Sequence, residues 1–287
     1  MNLSGIFTAI VAALCMGTMG LFSRKTGFTA EVITFFRLFI GSIFLLIFLL
    51  AKKDLRYTRT WPSWPVLING LFLSGFIIFY VQAMNYTTMA NAIMVLYLAP
   101  LLASVFAHFF LGERLNLTSL LLICGALFGF AMMLEFKLGF GTEASDIQGM
   151  IYALLGLLCY AGFIIINRRI DANVHSYTRT YYQLLTGALC LIPFLFGNLP
   201  SLSLSNAMWS VGAGLIPGFL GILCAVIALE KLPTATYGTL AYFEPICVIV
   251  IGWLIFGERL GTLQMSGCII ILCCGAVKGY LAAKETI

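Results

Sequence analysis

The chain has 287 residues, and its composition is that of a protein whose surface mostly faces lipid. Hydrophobic residues make up 61% of it, charged residues only 9%, and the mean hydropathy is +1.03. Soluble domains carry about 25% charged residues, so this composition excludes a water-soluble globular domain. The net charge of +5 comes mostly from connections between apolar runs and does not indicate nucleic-acid binding.

Ten apolar runs follow one another, each long enough to cross about 30 Å of hydrocarbon as a helix of about 20 residues. The sequence therefore predicts an all-α integral membrane protein with ten transmembrane helices. No cleavable signal peptide is expected, because no basic segment precedes the first run and that run is too long. The predicted helices, numbered one to ten, cover residues 3–23, 30–51, 64–84, 88–111, 116–134, 148–167, 176–197, 206–229, 232–256 and 261–282.

The nine cysteines all fall inside apolar runs and form no Cys-x-x-Cys pair and no cluster with histidine. Neither a disulfide framework nor a metal site is therefore expected. Small packing residues are the ordinary role of such cysteines. The sequence also has no phosphate-binding loop that would indicate an ATP-driven pump, so we expect no bound cofactor.

One block of residues occurs twice in the chain, 145 positions apart. Pro100 is followed by Gly-Glu-Arg-Leu at 112–115, and Pro245 by the same four residues at 257–260. Such a repeat predicts two halves with five helices each. Because five is odd, the second half must enter the bilayer from the opposite side. The sequence thus predicts an inverted repeat, an arrangement found in many carriers.

The two predicted halves are residues 1–140 and residues 141–287, and the distribution of charge agrees with their inversion. With the amino terminus inside, the inner connections hold eleven lysines and arginines and the outer connections hold four. The positive-inside rule then places both termini in the cytoplasm. The expected location is the cell (inner) membrane.

The blocks Ala90–Leu115 and Ala235–Leu260 each carry a mid-helix proline and a closing Gly-Glu-Arg-Leu. In these features the chain resembles the drug/metabolite transporter superfamily, and specifically its EamA-type ten-helix carriers. The resemblance implies a secondary carrier whose central cavity is lined by predicted helices one to four and six to nine. Helices five and ten would be peripheral. The superfamily includes exporters of amino acids and other small metabolites, and the shared blocks say almost nothing about substrate.

Pro100 and Pro245 lie near the midpoints of predicted helices four and nine. Proline lacks an N–H, and its ring presses on the carbonyl group four residues earlier. The carbonyl groups of Leu96 and Ala241 therefore lose their helical partners at membrane depth. Interrupted helices at matching positions of two halves indicate a carrier's binding site and hinges. The alternative is a packing kink, which is common in membrane helices. Pro217 in helix eight has no counterpart in helix three and is interpreted as a hinge or kink only.

Glu244 lies almost at the bilayer centre in predicted helix nine. A lone carboxylate there costs about 2.5–3.5 kcal/mol, so it must face protein or water, pair with a cation, or carry a proton. A carboxyl group that exchanges a proton is what proton-coupled transport needs. The other intramembrane charge is Arg37 in predicted helix two, about 10 Å from the outer surface at ~1.5 Å per residue.

Arg37 and Glu244 allow two interpretations. In the functional one they form a switchable pair, and a proton or a zwitterionic substrate competes for one partner in one state of the carrier. In the structural one they form a permanent ion pair between the halves, or Arg37 reaches the outer headgroups. The sequence leaves both open.

Polar aromatic and amide residues form a belt at the expected depth of the cavity. Tyr97 and Tyr242 are repeat counterparts, each three residues before its proline. Tyrosine offers an apolar face for a substrate and a hydroxyl group that fixes its orientation, although tyrosines near helix ends also form interfacial belts. The further candidates for substrate binding are Tyr80, Asn91, Tyr160, Tyr182 and Gln183.

Glu113 and Glu258 close predicted helices four and nine, and we expect them to cap or pair with neighbouring helix ends. The peripheral helices carry the small-residue pairs Gly125/Gly129 and Gly275/Gly279. Such pairs let helices approach closely. Internal packing is the favoured interpretation and dimerisation the alternative, so a monomer or weak dimer is expected.

Three functional classes can be compared. A channel needs a continuous polar ring through the membrane, and a membrane enzyme needs clustered catalytic side chains; the sequence offers neither. A secondary carrier explains the repeat, the paired prolines and the buried charges together, so the chain is not expected to be an enzyme. A cavity that contains one acidic side chain and one arginine can bind both charges of an amino acid or related zwitterion, and the family resemblance favours this substrate class. An organic cation or drug-like amine held by Glu244 and tyrosine faces remains the alternative.

Overall fold

The computed structural model describes residues 3–60, 62–137, 144–196, 203–257 and 261–284, and every regular element in these ranges is a helix. The repeated residues Glu258–Leu260 lie outside the described residues. The α-helices are α1 Leu3–Gly17, α2 Met19–Thr26, α3 Ala30–Ala51, α4 Arg56–Arg59, α5 Trp64–Tyr86, α6 Met89–Leu96, α7 Ala99–Phe110, α8 Leu117–Met133, α9 Ala144–Arg169, α10 Ser176–Leu191, α11 Leu204–Ala213, α12 Gly221–Lys231, α13 Thr234–Ala241, α14 Phe243–Phe256 and α15 Thr262–Lys284. A 3-10 turn, Ile192–Leu195, extends α10, and a π-helical segment, Gly214–Leu220, joins α11 to α12.

Eight helical segments in the described part of the chain are long and apolar enough to cross a membrane. α8 is apolar but has only 17 residues. α10 has 16 residues and begins with a polar turn, in which Thr178, Arg179 and Thr180 are buried. The protein is therefore an all-helical membrane protein, while the count of ten spans stays a prediction that depends on α8 and α10.

The long apolar segments are interrupted at matching positions of the two halves. α6 ends at Leu96 and α7 begins at Ala99, just before Pro100. α13 and α14 are separated by Tyr242 alone, three residues before Pro245. Both prolines are buried in the first turn of the helix that follows, where their missing N–H costs no hydrogen bond.

Two further irregularities lie in other helices. α1 and α2 are separated at Thr18, whose hydroxyl group and backbone N–H both donate to the carbonyl oxygen of Cys15, at 2.6 and 3.2 Å. No proline marks this break, and the sequence did not predict it. Pro217, interpreted from sequence as a kink, lies inside the π-helical segment and is buried. A wider turn of this kind accommodates a residue that cannot donate.

Helix contacts occur in pairs that match the repeat. α5 packs along α9 and α1 packs along α12, while α10 packs on α5 and α3 packs on the π-helical segment. α7 and α13 cross where a Cβ on Gly238 would lie 2.9 Å from the Cβ of Pro100. The interrupted helices of the two halves therefore meet at the middle of the bundle.

The two peripheral helices α8 and α15 pack along each other. A Cβ on Gly129 would lie 2.8 Å from the carbonyl oxygen of Gly267, and one on Gly125 would lie 2.9 Å from the sulfur of Cys274. These glycines are therefore used in packing within the chain, as the favoured interpretation expected. At Gly279 a Cβ would make only ordinary van der Waals contact, 3.9 Å from a methyl group of Ile6.

Candidate functional site

A cavity of about 90 Å³ lies at the centre of the bundle, bordered by α1, α3, α5, α6, α9, α12, α13 and α14. The cavity lies beside the breaks between α6 and α7 and between α13 and α14. Leu96 and Ala241, whose carbonyl groups lose a helical donor at Pro100 and Pro245, both line it. Its polar and sulfur-bearing lining residues are Met16, Arg37, Tyr97, Tyr160, Tyr237 and Glu244.

Small residues of α1 make room for the cavity. Ala9, Ala12, Ala13 and Met16 recur every three or four residues, so they share one helical face, and all four line the cavity. At the end of this face, a Cβ on Gly17 would lie 2.6 Å from the Cβ of Cys247 and 2.8 Å from the carbonyl oxygen of Glu244. The absence of a side chain at Gly17 therefore lets α1 approach α14 at the position of Glu244.

Arg37 projects from α3 into the cavity and is only 7% exposed. One terminal nitrogen of its guanidinium group donates to the sulfur of Met16 at 3.0 Å, and its Nε atom is buried with no hydrogen-bond partner. A thioether is a weak acceptor, and an unmet buried donor is costly, more so on a charged group. The guanidinium group is thus held in place with its donor capacity largely unused.

Glu244 is the second residue of α14 and borders the same cavity. Its carboxyl group interacts with the hydroxyl group of Tyr97 and attracts Arg37 electrostatically. Within the described ranges, no direct ion pair joins Arg37 to Glu244. The cavity therefore holds one cationic and one anionic side chain that face a common space without neutralising each other by contact.

Tyr160 and Tyr237 also line the cavity, and their hydroxyl groups interact with each other. The sequence had indicated Tyr160 but missed Tyr237, because its repeat counterpart is the apolar Ala92. A signal was present: Tyr237 and Ala241 precede Glu244 by seven and three residues, a spacing that places all three on one helical face.

Two other tyrosines that the sequence indicated as candidates for substrate binding, Tyr242 and Tyr80, lie behind or beside the cavity. Tyr242 is fully buried, and its hydroxyl group donates to the backbone carbonyl oxygen of Tyr97 at 2.6 Å. The two rings are 5.7 Å apart. Tyr80 packs against the central hydrophobic core and lies within the electrostatic field of Glu244. Tyr242 thus connects the two helix breaks and does not line the cavity in this structure.

The remaining predicted residues lie away from the cavity, where each has a partner. Tyr182 donates to the carbonyl oxygen of Thr58 at 2.8 Å. Gln183 is fully buried and donates to the side chain of Asn167 at 3.0 Å. Asn91 donates to the hydroxyl group of Thr87 at 3.1 Å. In this conformation these three side chains are directed at neighbouring helices and helix ends and not at the central cavity. Their hydrogen bonds therefore stabilise helix packing.

The two repeat-related tyrosines should respond differently to removal of their hydroxyl groups. Tyr242→Phe leaves the carbonyl group of Tyr97 without its donor and should destabilise the fold by about 1–3 kcal/mol, with substrate affinity nearly unchanged. Tyr97→Phe removes a hydroxyl group that contacts Glu244 and should weaken substrate binding more than it lowers the unfolding temperature. Thermal unfolding and equilibrium binding measure both effects, and the opposite assignment would contradict this description of the site.

The sequence profile of the EamA-like transporter family matches the chain twice, over residues 3–135 and 147–277. The chain belongs to this family. It is therefore a multi-pass membrane transporter of small molecules, and not an enzyme.

Three known proteins illustrate the similarity. An uncharacterised transporter of Archaeoglobus fulgidus is 28% identical over 92% of this chain and 92% of its own. The threonine/homoserine exporter of Salmonella typhimurium is 24% identical over 90% of this chain and 83% of its own. A crystal structure that is 23% identical superposes with a TM-score of 0.85 and covers 98% of this chain and 99% of that chain, which shows that the fold is shared.

Proposed function

We propose that this transporter is a secondary active exporter or exchanger of small zwitterionic metabolites, most directly amino acids, that works by alternating access. The observation that carries the proposal is the pairing of Arg37 and Glu244 across one cavity without direct contact. A bound amino acid would place its carboxylate on the guanidinium group and its ammonium group on the carboxylate. Both buried charges would then be compensated by charge-assisted hydrogen bonds.

The size of the cavity supports a small solute. The cavity has a volume of about 90 Å³. Drug-sized ligands occupy pockets of about 300–1,000 Å³. A compact amino acid therefore fits with a modest outward movement of the lining, whereas a drug-like compound needs a several-fold larger space.

The alternative substrate is a small organic cation, held by Glu244 and the faces of Tyr97 and Tyr160 through cation–π contacts. Such a ligand would neutralise Glu244 but would leave Arg37 facing the cavity without an anion. Leaving one member of a buried charge pair uncompensated is costly. A zwitterion is therefore favoured over an amine by the presence of Arg37.

Proton coupling would reside on Glu244. When the site is empty, the carboxyl group has Tyr97 beside it and no direct ion pair with Arg37, so protonation removes a buried charge. The arrival of a substrate ammonium group would favour the ionised carboxylate and release that proton. Substrate and proton would thus compete for one side chain, which is the condition for exchange of one against the other.

The inverted repeat remains part of the proposal, with residues 1–140 and 141–287 as its halves and both termini on the cytoplasmic side of the inner membrane. Its support is the double match to the family profile, the paired helix contacts and the two breaks beside Pro100 and Pro245. Because both prolines are buried at the centre of the bundle, each break can serve as a hinge between the outer and inner parts of its segment.

The proposal is tested by transport into liposomes that contain the purified protein. Counterflow of labelled L-threonine is expected with unlabelled small neutral amino acids inside, and weaker counterflow with amines that lack the carboxylate. An imposed proton gradient should drive accumulation above equilibrium. Amine transport without amino-acid transport would establish the alternative, and transport of neither would refute the zwitterion assignment.

A further inference from the structure

A cluster of polar groups joins four helix ends at one end of the bundle, outside the central cavity. The carboxylate of Glu113 accepts from Nε and from a terminal nitrogen of Arg168, both at 2.7 Å, and its other oxygen accepts from the backbone N–H of Thr234 at 2.7 Å. Arg168 also donates to the carbonyl oxygens of Leu229 and Glu230 at 2.9 and 3.3 Å. We call this cluster the Glu113 clamp.

The clamp connects the same transmembrane segments that line the cavity. Glu113 follows α7, Arg168 ends α9, Leu229 lies near the end of α12, and Thr234 begins α13. The same segments border the cavity closer to the middle of the bundle. The break before α7 borders it, as do Tyr160 of α9, Ala225 of α12 and Tyr237 of α13. Opening the cavity toward this end requires the four helix ends to separate, and separation requires the clamp to break.

The chemistry of the clamp gives it the strength to hold a conformation. The side chains of Arg168 and Glu113 are 22% and 17% exposed, so solvent screens the pair only partly. Both carboxylate oxygens are used: two guanidinium nitrogens of Arg168 bind one oxygen, and the backbone N–H of Thr234 binds the other. Hydrogen bonds between charged groups are about twice as strong as those between neutral groups. A simple helix cap would involve Glu113 and the start of α13 alone. Here α9 adds Arg168, and α12 adds two backbone carbonyl groups that Arg168 binds.

We propose that Glu113 is a positioning residue of the transport cycle: its carboxylate holds the cytoplasmic end of the cavity closed, and its release from Arg168 and Thr234 permits inward opening. This inference rests on the proposed alternating access and on the proposed cytoplasmic position of both termini, and not on the identity of the substrate. The repeat counterpart, Glu258, lies outside the described residues, so the inference concerns the Glu113 end alone.

The test measures access to the cavity from the cytoplasmic side. Ala225→Cys places a thiol in the cavity, in a background where the native cysteines are replaced by alanine. Inside-out vesicles then receive a membrane-impermeant methanethiosulfonate reagent. Glu113→Gln and Arg168→Gln should each raise the labelling rate at least about fivefold, and the double variant should match the single variants, because both remove one interaction.

Arg169→Gln is the matched control, because Arg169 is the exposed neighbour of Arg168 on the same helix end. Its labelling rate should equal that of the parent protein. If the cysteine-free background does not fold, hydrogen–deuterium exchange in the native-cysteine protein replaces labelling. Exchange should then rise both near residues 229–236 and in cavity-lining parts of α9 and α13.

Two results would overturn the inference. One is an unchanged labelling rate in both clamp variants despite a lowered unfolding temperature, which would make Glu113 a local cap. The other is exchange that rises near residues 229–236 alone. The labelling experiment uses no amino acid and therefore does not depend on the substrate. Faster labelling in the variants of a protein that transports no amino acid would refute the proposed substrate and still support the role of the Glu113 clamp.

Discussion

Glu244→Gln is expected to lower amino-acid counterflow by at least about 100-fold while the protein still folds. Removing one partner of a buried charge pair costs about 3–5 kcal/mol, and about 2.7 kcal/mol already corresponds to a factor of 100 in affinity. The amide keeps the size of the side chain and can still accept from Tyr97, but it cannot balance a substrate ammonium group. Counterflow of labelled L-threonine in proteoliposomes measures the loss.

The matched control is Glu31→Gln, because Glu31 lies in the first turn of α3, the helix that carries Arg37, and does not line the cavity. That variant should transport like the parent protein. The unfolding temperature of Glu244→Gln should fall, because Arg37 is then buried without its counter-charge, whereas that of Glu31→Gln should match the parent. Full counterflow in Glu244→Gln would show that Glu244 neither binds substrate nor couples transport.

Gly218→Ala is expected to combine a loss of stability with a loss of transport. A Cβ on Gly218 in the π-helical segment would fall well inside van der Waals contact of the backbone carbonyl group of Arg37. Backbone cannot rotate away as a side chain can, so α3 must shift. Overpacking of this kind costs about 1–3 kcal/mol, and displacing a binding group by about 1 Å can cost 100-fold in rate. We expect at least a tenfold lower transport rate.

Gly20→Ala provides the comparison, because a Cβ at Gly20 in α2 meets nothing within 4 Å. It should leave transport unchanged and raise stability by up to about 1 kcal/mol, since alanine favours the helix more than glycine does. Thermal unfolding and counterflow of both variants are measured together. Normal transport in Gly218→Ala would show that the position of α3 against the π-helical segment does not set the position of Arg37.

The sequence predicted the features that follow from local rules. Apolar runs predicted the helices, and the two mid-helix prolines predicted matching interruptions, because the chemistry of proline acts within one turn. The depth of Arg37 and Glu244 could be read from span length, and the structure places both on one cavity. Span length could not give their rotation about the helix axes. A switchable pair, a permanent ion pair and an Arg37 directed at the outer headgroups were therefore all left open by the sequence.

The features that escaped prediction depend on tertiary contacts. Tyr242 and Tyr97 are equivalent by repeat, yet only Tyr97 lines the cavity, because the hydroxyl group of Tyr242 is directed at the backbone of its counterpart. The break at Thr18 has no proline to mark it, and its hydroxyl-to-backbone bond is of a kind that continuous helices of this chain also contain. Glu113 was expected to cap or pair with neighbouring helix ends, and it does pair with them. Its partner could not be named from sequence, because Arg168 lies 55 residues away in the chain and no local pattern pairs them.

The most direct test of the central claim, that Arg37 and Glu244 receive the two charges of one zwitterion, is a binding comparison on three purified proteins. The parent, Arg37→Gln and Glu244→Gln are titrated with L-threonine, with an amine that lacks its carboxylate, and with a hydroxy acid that lacks its amino group. The parent should prefer the amino acid, Arg37→Gln the amine, and Glu244→Gln the hydroxy acid. Unchanged preference for the amino acid in both variants would contradict the central claim.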